Sequence, residues 1–388
     1  KGKKSDYMYD NYTEQAPDGK MLSDEILSSV MEDINTYASG KTVCPISKAS
    51  LKVEARVRQP NGDDFKTKQP RVFCATPISD VVIGRMFLLP LLDIMKQDRK
   101  HFECAVGLNA MSPQWGKLRE IFQDKNVINK TFGTDISGFD TRMPLLVKHA
   151  AMTILIRMAM KCGWSFVEIA IITGYLTDGL YPYVLVKNDI LLMPNIIISG
   201  RVGTAEFNSL CLSIIYRMVW NKLRVRIQPT LKFNDNVALI TYGDDSKAGS
   251  LPDWFNQKNF CLGCAYFGIH ATTVSKSDDF EQFVPFDGEE FLHRTWRWDD
   301  EYQVWCAPLA FDSMVRSLVL NNKSPIGPDV QCFEAAHSIN FELAQHGREV
   351  FNEKMPKLYG ILLDAGIISR VGEPSFKSFE EIMDRCYR

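Results

Sequence analysis

Apolar residues recur at helical spacing in two long stretches of the chain. After Pro144, the residues Leu145, Leu146, Ala150, Ile154 and Met158 lie near one stripe. From Phe207 onward Leu210, Cys211, Ile214, Ile215 and Met218 do the same, the period of an amphipathic helix. Both predicted helices follow polar loops, Ser137-Gly138-Phe139-Asp140 and Ser199-Gly200-Arg201-Val202-Gly203-Thr204, which makes Asp140 and Thr204 candidate N-caps. A different pattern follows. Between Asn236 and Tyr242 the unbroken apolar run Val237, Ala238, Leu239, Ile240 leads into Gly243-Asp244-Asp245, which predicts a buried strand, a tight turn and a return strand. Val127 to Thr134 also reads as a strand, with Asp135 at its end. From Phe311 onward Met314, Val315 and Leu318, then Phe333 to Ala344, then Phe379 to Met383 predict a mostly helical C-terminal part.

Composition narrows the class without naming it. The 388 residues are 45% hydrophobic and 24% charged, which excludes a disordered chain, a collagen-like repeat and a coiled coil and leaves room for two or three subdomains. Apolar runs such as Ala150 to Ile156 end early, here at Arg157, so no membrane span is expected. The basic start Lys1-Gly2-Lys3-Lys4 precedes no apolar segment, so no secretory signal is expected and the ten cysteines are read as reduced, intracellular thiols. Cys261 and Cys264 have CxxC spacing with His270 and His293 downstream, but no second close pair completes a zinc site, and buried structural thiols are expected. A net charge of -2 is silent about polyanions. Its distribution is not: Lys41, Lys48, Lys52, Arg56, Arg58, Lys66, Lys68 and Arg71 face only Glu54, Asp63 and Asp64. With a turn at Pro60-Asn61-Gly62-Asp63, that stretch reads as a basic ribbon suited to phosphates.

The carboxylates carry the candidate chemistry. Asp135 and Asp140 are five positions apart, an odd separation that in a continuous strand sends side chains to opposite faces. Both reach one cleft only if Ser137-Gly138 turns the chain, which glycine permits. Asp244 and Asp245 hang from the apolar strand in a held turn. If Asp135 and Asp244 meet at neighbouring strand ends, their repulsion raises their pKa values unless cations neutralise them. Hard divalent cations such as Mg²⁺ suit that role, and a pair of them serves in-line displacement at phosphorus. Thr204 and Asn208 are four apart on one helical face, where polar side chains can bond a ribose.

Taken in order, these segments resemble the palm of a picorna-like viral RNA-dependent RNA polymerase. Asp135…Asp140 resembles that family's motif A, Ser199-Gly200 with Gly203-Thr204 and Asn208 its motif B, and Tyr242-Gly243-Asp244-Asp245 its motif C. Lys276 stands where motif D has its lysine, and Phe291-Leu292-His293-Arg294 resembles motif E with His293 in place of lysine. Lys52 to Arg56 and Lys66 to Arg71 resemble the split basic motif F, with Pro70 as a departure, and Val106-Gly107-Leu108-Asn109 resembles the finger segment before motif A. The resemblance implies that Asp135 and Asp244, assisted by Asp245, ligate two Mg²⁺ ions, for which Mn²⁺ can substitute. It implies that Asp140, Ser199 and Asn208, supported by Thr204, read the ribose 2′-hydroxyl. Lys52, Arg56 and Arg71 would hold the triphosphate, with either Lys66 or Lys68 beside them, and Lys276 would protonate pyrophosphate. Gly200 and Phe291 through Arg294 (Phe291, Leu292, His293, Arg294) would contact RNA.

The implied architecture is an α+β right hand of fingers, palm and thumb, with a small antiparallel palm sheet backed by helices. Fingers are expected over 1–126, palm over 127–143, a fingers insertion and palm helix over 144–195, palm again over 196–297, and thumb over 298–388. Expected partners are an RNA template and primer, ribonucleoside triphosphates, a protein primer and other viral replication proteins. These would hold the chain at membrane-associated complexes in the host cytoplasm. The region before the basic ribbon is shorter than the resemblance leads one to expect, which implies a compact variant or a product without its outer fingers. A reverse transcriptase shares the aspartates but needs a bulky residue where Asp140 stands, and a noncatalytic RNA-binding scaffold would not need its aspartates intact.

Overall fold

The computed structural model describes residues 8–10, 20–52, 71–273, 280, 282–320 and 326–388. The chain divides into two compact units that interleave in sequence: Lys1–Lys52, Gln69–Cys104 and Ile136–Tyr216 make the first, and Val53–Lys68, Ala105–Asp135 and Arg217–Arg388 the second.

The first unit combines a four-stranded sheet with helices. Its strand order is Val72–Ala75, Ile46–Leu51, Tyr183–Val186, Asp189–Leu192. Ile46–Leu51 runs antiparallel to Val72–Ala75 and parallel to Tyr183–Val186. The stem of the basic ribbon is therefore a β ladder, extended past Leu51 by the Lys52 amide donating to the Arg71 carbonyl at 2.8 Å. The helix Leu145–Lys161 forms where expected, with two corrections. Pro144, not Asp140, occupies its N-cap. Its buried residues are Val147, Lys148, Ala151, Leu155 and Ala159, one position round from the predicted stripe, and Leu146 is 83% exposed. Apolar residues cover most of this helix's circumference, so periodicity finds the helix but not its face; the alanines mark the close side. Phe166–Leu180 follows through a Ser165/Glu168 capping box.

The second unit carries a four-stranded sheet ordered Ala271–Thr272, Thr131–Ile136, Asp245–Ser250, Val237–Tyr242. Thr131–Ile136 begins later than predicted, because Val127 to Lys130 is a turn closed by the Lys130 amide on the Val127 carbonyl. Val237–Tyr242 is buried up to Thr241, as its apolar run requires. The neighbouring strand Asp245–Ser250, sequence Asp-Ser-Lys-Ala-Gly-Ser, is also buried beyond Asp245, although these residues favour strands least. Its polar groups are satisfied locally: Ser246 Oγ pairs with Thr134 Oγ1 at 3.2 Å, and Ser250 Oγ donates to the Pro252 carbonyl at 3.2 Å. A Cβ on Gly249 would stand 2.7 Å from Val127 Cγ2, so glycine lets the turn after helix Gln114–Asp124 press against the sheet. An aromatic core lies here, with Trp115 stacked on Trp296 at 4.4 Å and Phe286 against Trp296 at 4.3 Å. Helices Phe311–Val319, Pro328–Gln345, Arg348–Asp364 and Phe379–Tyr387 form the C-terminal part around a core of their own that includes Leu343, Leu362 and Met383. The helical reading of that end holds.

Candidate active site

Register brings the carboxylates of the second unit to one end of its sheet. Thr134 faces Ser246, and Ser246 faces Thr241, so these three residues form one row across the strands. One residue further toward that end lie Asp135 on one strand and the facing pair Tyr242 and Asp245 on the other two. Gly243 and Asp244 connect that pair. Gly243 has φ +64° at the first central position of a two-residue hairpin, where a II′ turn requires it. Asp135 is half-buried, whereas Asp244 and Asp245 are exposed. The sheet thus fixes the backbone at this end, and the hairpin carboxylates are exposed to solvent.

Behind this end Lys247 is 1% exposed. Its Nζ donates to the Glu289 carbonyl at 2.8 Å, lies 3.8 Å from that residue's carboxylate, and sits 5.1 Å from the Phe286 ring centre. Burial pushes its ammonium down to about 8, against the opposing pull of Glu289 and Asp287. This lysine ties the return strand to the segment before Phe291. It escapes a motif reading; its signal is a cation two residues after the hairpin in a strand with both faces covered.

The residues expected to read a ribose belong to the first unit. Gly138 takes φ +66° and its carbonyl accepts from Thr141 and Arg142, so the chain does turn after Ser137. The Asp140 carbonyl accepts from the Ile197 amide at 2.7 Å, and its carboxylate stands near Cys74, whose thiol is raised by burial and by that negative charge. Ser199 Oγ accepts from the Cys74 amide at 3.2 Å. Thr204 opens helix Thr204–Ile227 but is not an N-cap acceptor: its hydroxyl donates to the carbonyls of Ile198 and Arg201, both at 2.9 Å. It therefore pins the loop to the helix. A Cβ on Gly200 would lie 2.4 Å from the Cys74 carbonyl oxygen, so the loop packs backbone to backbone. Asn208 is buried, one turn beyond Thr204, and its Oδ1 is an acceptor without a hydrogen-bond partner among the described residues. Arg201, inside the loop, forms a two-pronged pair with Asp80 (2.8 and 3.2 Å) and stacks on Tyr175 at 4.0 Å.

Other predicted residues fare differently. Lys52 and Arg71 flank the ribbon's stem, while Arg56, Lys66, Lys68 and Lys276 lie outside the described residues. The Ala105 amide donates to the Thr241 carbonyl at 2.8 Å, so Val106 to Asn109 begins beside the carboxylate-bearing hairpin. Phe291 and Arg294 bridge across a tight turn whose central residues, Leu292 and His293, have φ +57° and +58°. Phe291 is buried in the aromatic core. Arg294, expected to grip RNA, has both guanidinium nitrogens on the Glu342 carboxylate at 2.6 and 2.8 Å. His293 is exposed, 3.8 Å from Glu290. Cys261 and Cys264 lie buried on helix Gln257–Tyr266, and burial pushes the Cys261 thiol up to about 12 and Cys264 well above its ordinary value.

Among the described residues no three His, Cys, Asp or Glu side chains gather into a ready-made cage for an ion. Open carboxylates at strand ends fit Mg²⁺ nonetheless, since it keeps several waters and takes few protein ligands beside substrate phosphates. The carboxylate-bearing strand ends belong to the second unit and the buried Asn208 acceptor to the first. Residues 4–361 match the family model described as viral RNA-dependent RNA polymerase, and the chain belongs to that family. It is 27% identical over 338 residues to the replicase polyprotein of Drosophila C virus (strain EB), covering 82% of this chain and 18% of that protein. It is 28% identical over 260 residues to the RNA1 polyprotein of Raspberry ringspot virus (strain cherry), covering 64% of this chain and 10% of that protein. The chain thus spans under a fifth of the length of these curated relatives. A solved structure described as Sicinivirus 3Dpol RNA dependent RNA polymerase superposes with TM-score 0.77 at 16% identity, covering 98% of this chain and 73% of that one. The fold is the α+β right hand that the motifs implied.

Proposed function

We propose that the chain extends an RNA primer on an RNA template, transferring a nucleotidyl group from a ribonucleoside triphosphate to a 3′-hydroxyl and releasing pyrophosphate. The observation that carries this reading is the shared end of Asp135 and the Gly243-Asp244 hairpin in a chain of this family. Asp135, Asp244 and Asp245 would hold two Mg²⁺ ions, which Mn²⁺ can replace. Ions held there would supply activation of the attacking hydroxyl and neutralisation of the charge that develops on the phosphate oxygens.

The protein's own residues do the remainder. Asn208 offers its orphaned Oδ1 to the ribose 2′-hydroxyl, an acceptor that a deoxyribose leaves unpaired. Ser199 on the Cys74 amide, and Asp140 near the Cys74 thiol, complete the ribose side of the site. Lys52 and Arg71, with Arg56 and Lys276 beyond the described residues, supply positive charge for the triphosphate and a proton for pyrophosphate. A protein primer and further replication proteins at membrane-associated complexes belong to the same proposal. The test is Mg²⁺-dependent extension of a primed RNA template by wild type and by Asp244→Asn. Equal extension by both removes the metal assignment, and RNA binding without extension by either favours a scaffold.

A further inference from the structure

Beneath the ribose-sensing loop lies a cation that no motif contains. Lys148 is fully buried in helix Leu145–Lys161. Its Nζ donates to three backbone carbonyls, those of Leu180 at 3.2 Å, Pro194 at 2.9 Å and Ile196 at 2.8 Å. Two of these acceptors lie in the segment that leads into Ser199-Gly200. Between Ile196 and Ser199, the Ile197 amide is held by the Asp140 carbonyl. Past Gly200, Arg201 is fastened to Asp80, and Thr204 to Ile198 and Arg201. Lys148 also lies within electrostatic reach of Cys211, on the helix turn after Asn208. The loop's entry is thus held by a lysine and its exit by an arginine.

A buried ammonium on carbonyl oxygens, with no carboxylate partner among the described residues, is an expensive way to hold a chain together. It does one thing a packed methionine would not: it draws three carbonyls from two separate segments onto one point and fixes the phase in which Ile196 hands the chain to Ser199. We propose that Lys148 is a positioning residue for ribose recognition, setting the loop so that Ser199 and Asn208 meet the 2′-hydroxyl. This rests on the reading of the site given above. Losing charge-assisted bonds of this kind should lower the preference for ribo- over deoxyribonucleotides by roughly ten- to a hundredfold.

The experiment compares wild type, Lys148→Met, Lys148→Gln and the exposed control Leu146→Ala in the full chain, with two readouts. The first is the ratio of kcat/KM for a ribonucleoside triphosphate to that for its deoxy counterpart, with kcat and KM reported separately. The second is backbone hydrogen exchange over 194–204, which needs no turnover. Expected are a reduced ratio, carried mainly by a raised KM for the ribonucleotide, and faster exchange in that segment for both Lys148 variants, with Leu146→Ala unchanged. A general loss of structure would lower both nucleotides together. A wild-type ratio and wild-type exchange in folded Lys148→Gln overturn the proposal even if Lys148→Met does not fold. If wild type itself extends no primer while exchange still responds to Lys148, the polymerase reading fails and the mooring of the loop stands.

Discussion

The carboxylate hairpin and the loop from Ser199 to Thr204, proposed to sense ribose, achieve rigidity by opposite means. At the hairpin, order comes from the ladder: three strands in fixed register, one glycine with positive φ, and side chains that face outward. At the loop, order comes from side-chain bonds: Lys148 reaches in from its helix, Arg201 reaches out to Asp80, and Thr204 closes the loop on itself. A ladder holds several residues at once and tolerates the loss of any single side chain. A moored loop has a few fastenings, each carrying a large share. Chemistry on charged groups needs only that the carboxylates stay at one end, whereas telling two sugars apart by one hydroxyl needs placement within a fraction of an ångström.

The comparison can be broken most sharply at the carboxylates. Asp244→Asn should leave the hairpin folded and RNA bound yet lower extension by roughly a hundred- to a thousandfold, measured as single-turnover incorporation. Next comes Gly200→Ala. Its Cβ would meet the Cys74 carbonyl oxygen, a backbone atom with nowhere to go, whereas a Cβ on Gly249 would meet side-chain atoms of Val127 and Phe122. Gly200→Ala should therefore cost about 2–3 kcal/mol in denaturant unfolding and Gly249→Ala less. If the order is reversed, the sheet and not the loop is the less yielding region.

A third test uses pH. Burial holds Lys148 down to about 8, against roughly 10.4 for an unfolded lysine. Between those values the unfolded chain binds the extra proton, so this lysine makes stability rise with pH, by at most about 1.4 kcal/mol per unit. That gain is lost as pH falls through the folded value. The difference in unfolding free energy between wild type and Lys148→Met should therefore grow in favour of wild type from pH 8 to 10, measured by urea titration, while ribonucleotide preference weakens. The smallest effect is expected from Ser246→Ala, which removes one hydroxyl pair in the row beside Asp135. About 1 kcal/mol of stability and an unchanged nucleotide preference would mark the sheet as redundant where the loop is not.

The same contrast explains what was legible in the sequence. The apolar run Val237 to Ile240 with Gly243 announces the hairpin, because a buried strand and a positive φ are local demands. The ordered motifs locate Asp135, Asp140, Ser199 and Asn208. Contacts made across long sequence separations left no local trace. Nothing near Arg294 in the sequence announces its pairing with Glu342, 48 residues away. Asp140 and Thr204 looked like caps, but Pro144 precedes the first helix and the Thr204 hydroxyl donates backward into its own loop. In the sequence Lys148 is one of several polar residues in a largely apolar helix. Only the fold shows three carbonyls converging on it.

The order of strands in the carboxylate-bearing sheet bears on how the chain is made. Thr131 pairs with Gly249 and Thr134 with Ser246, so Thr131–Ile136 leaves the ribosome long before its partner strand exists. At roughly 5–20 residues per second that interval lasts about six to twenty-four seconds. During it a strand with both faces meant for burial has no ladder. The four-stranded sheet of the first unit meets a similar wait between Ala75 and Tyr183. Birth order therefore has the helices between these strands forming first, and the hairpin carboxylates joining Asp135 only once the hairpin closes over a strand already waiting. Until Asp245–Ser250 emerges, the end of the sheet that carries these carboxylates does not exist.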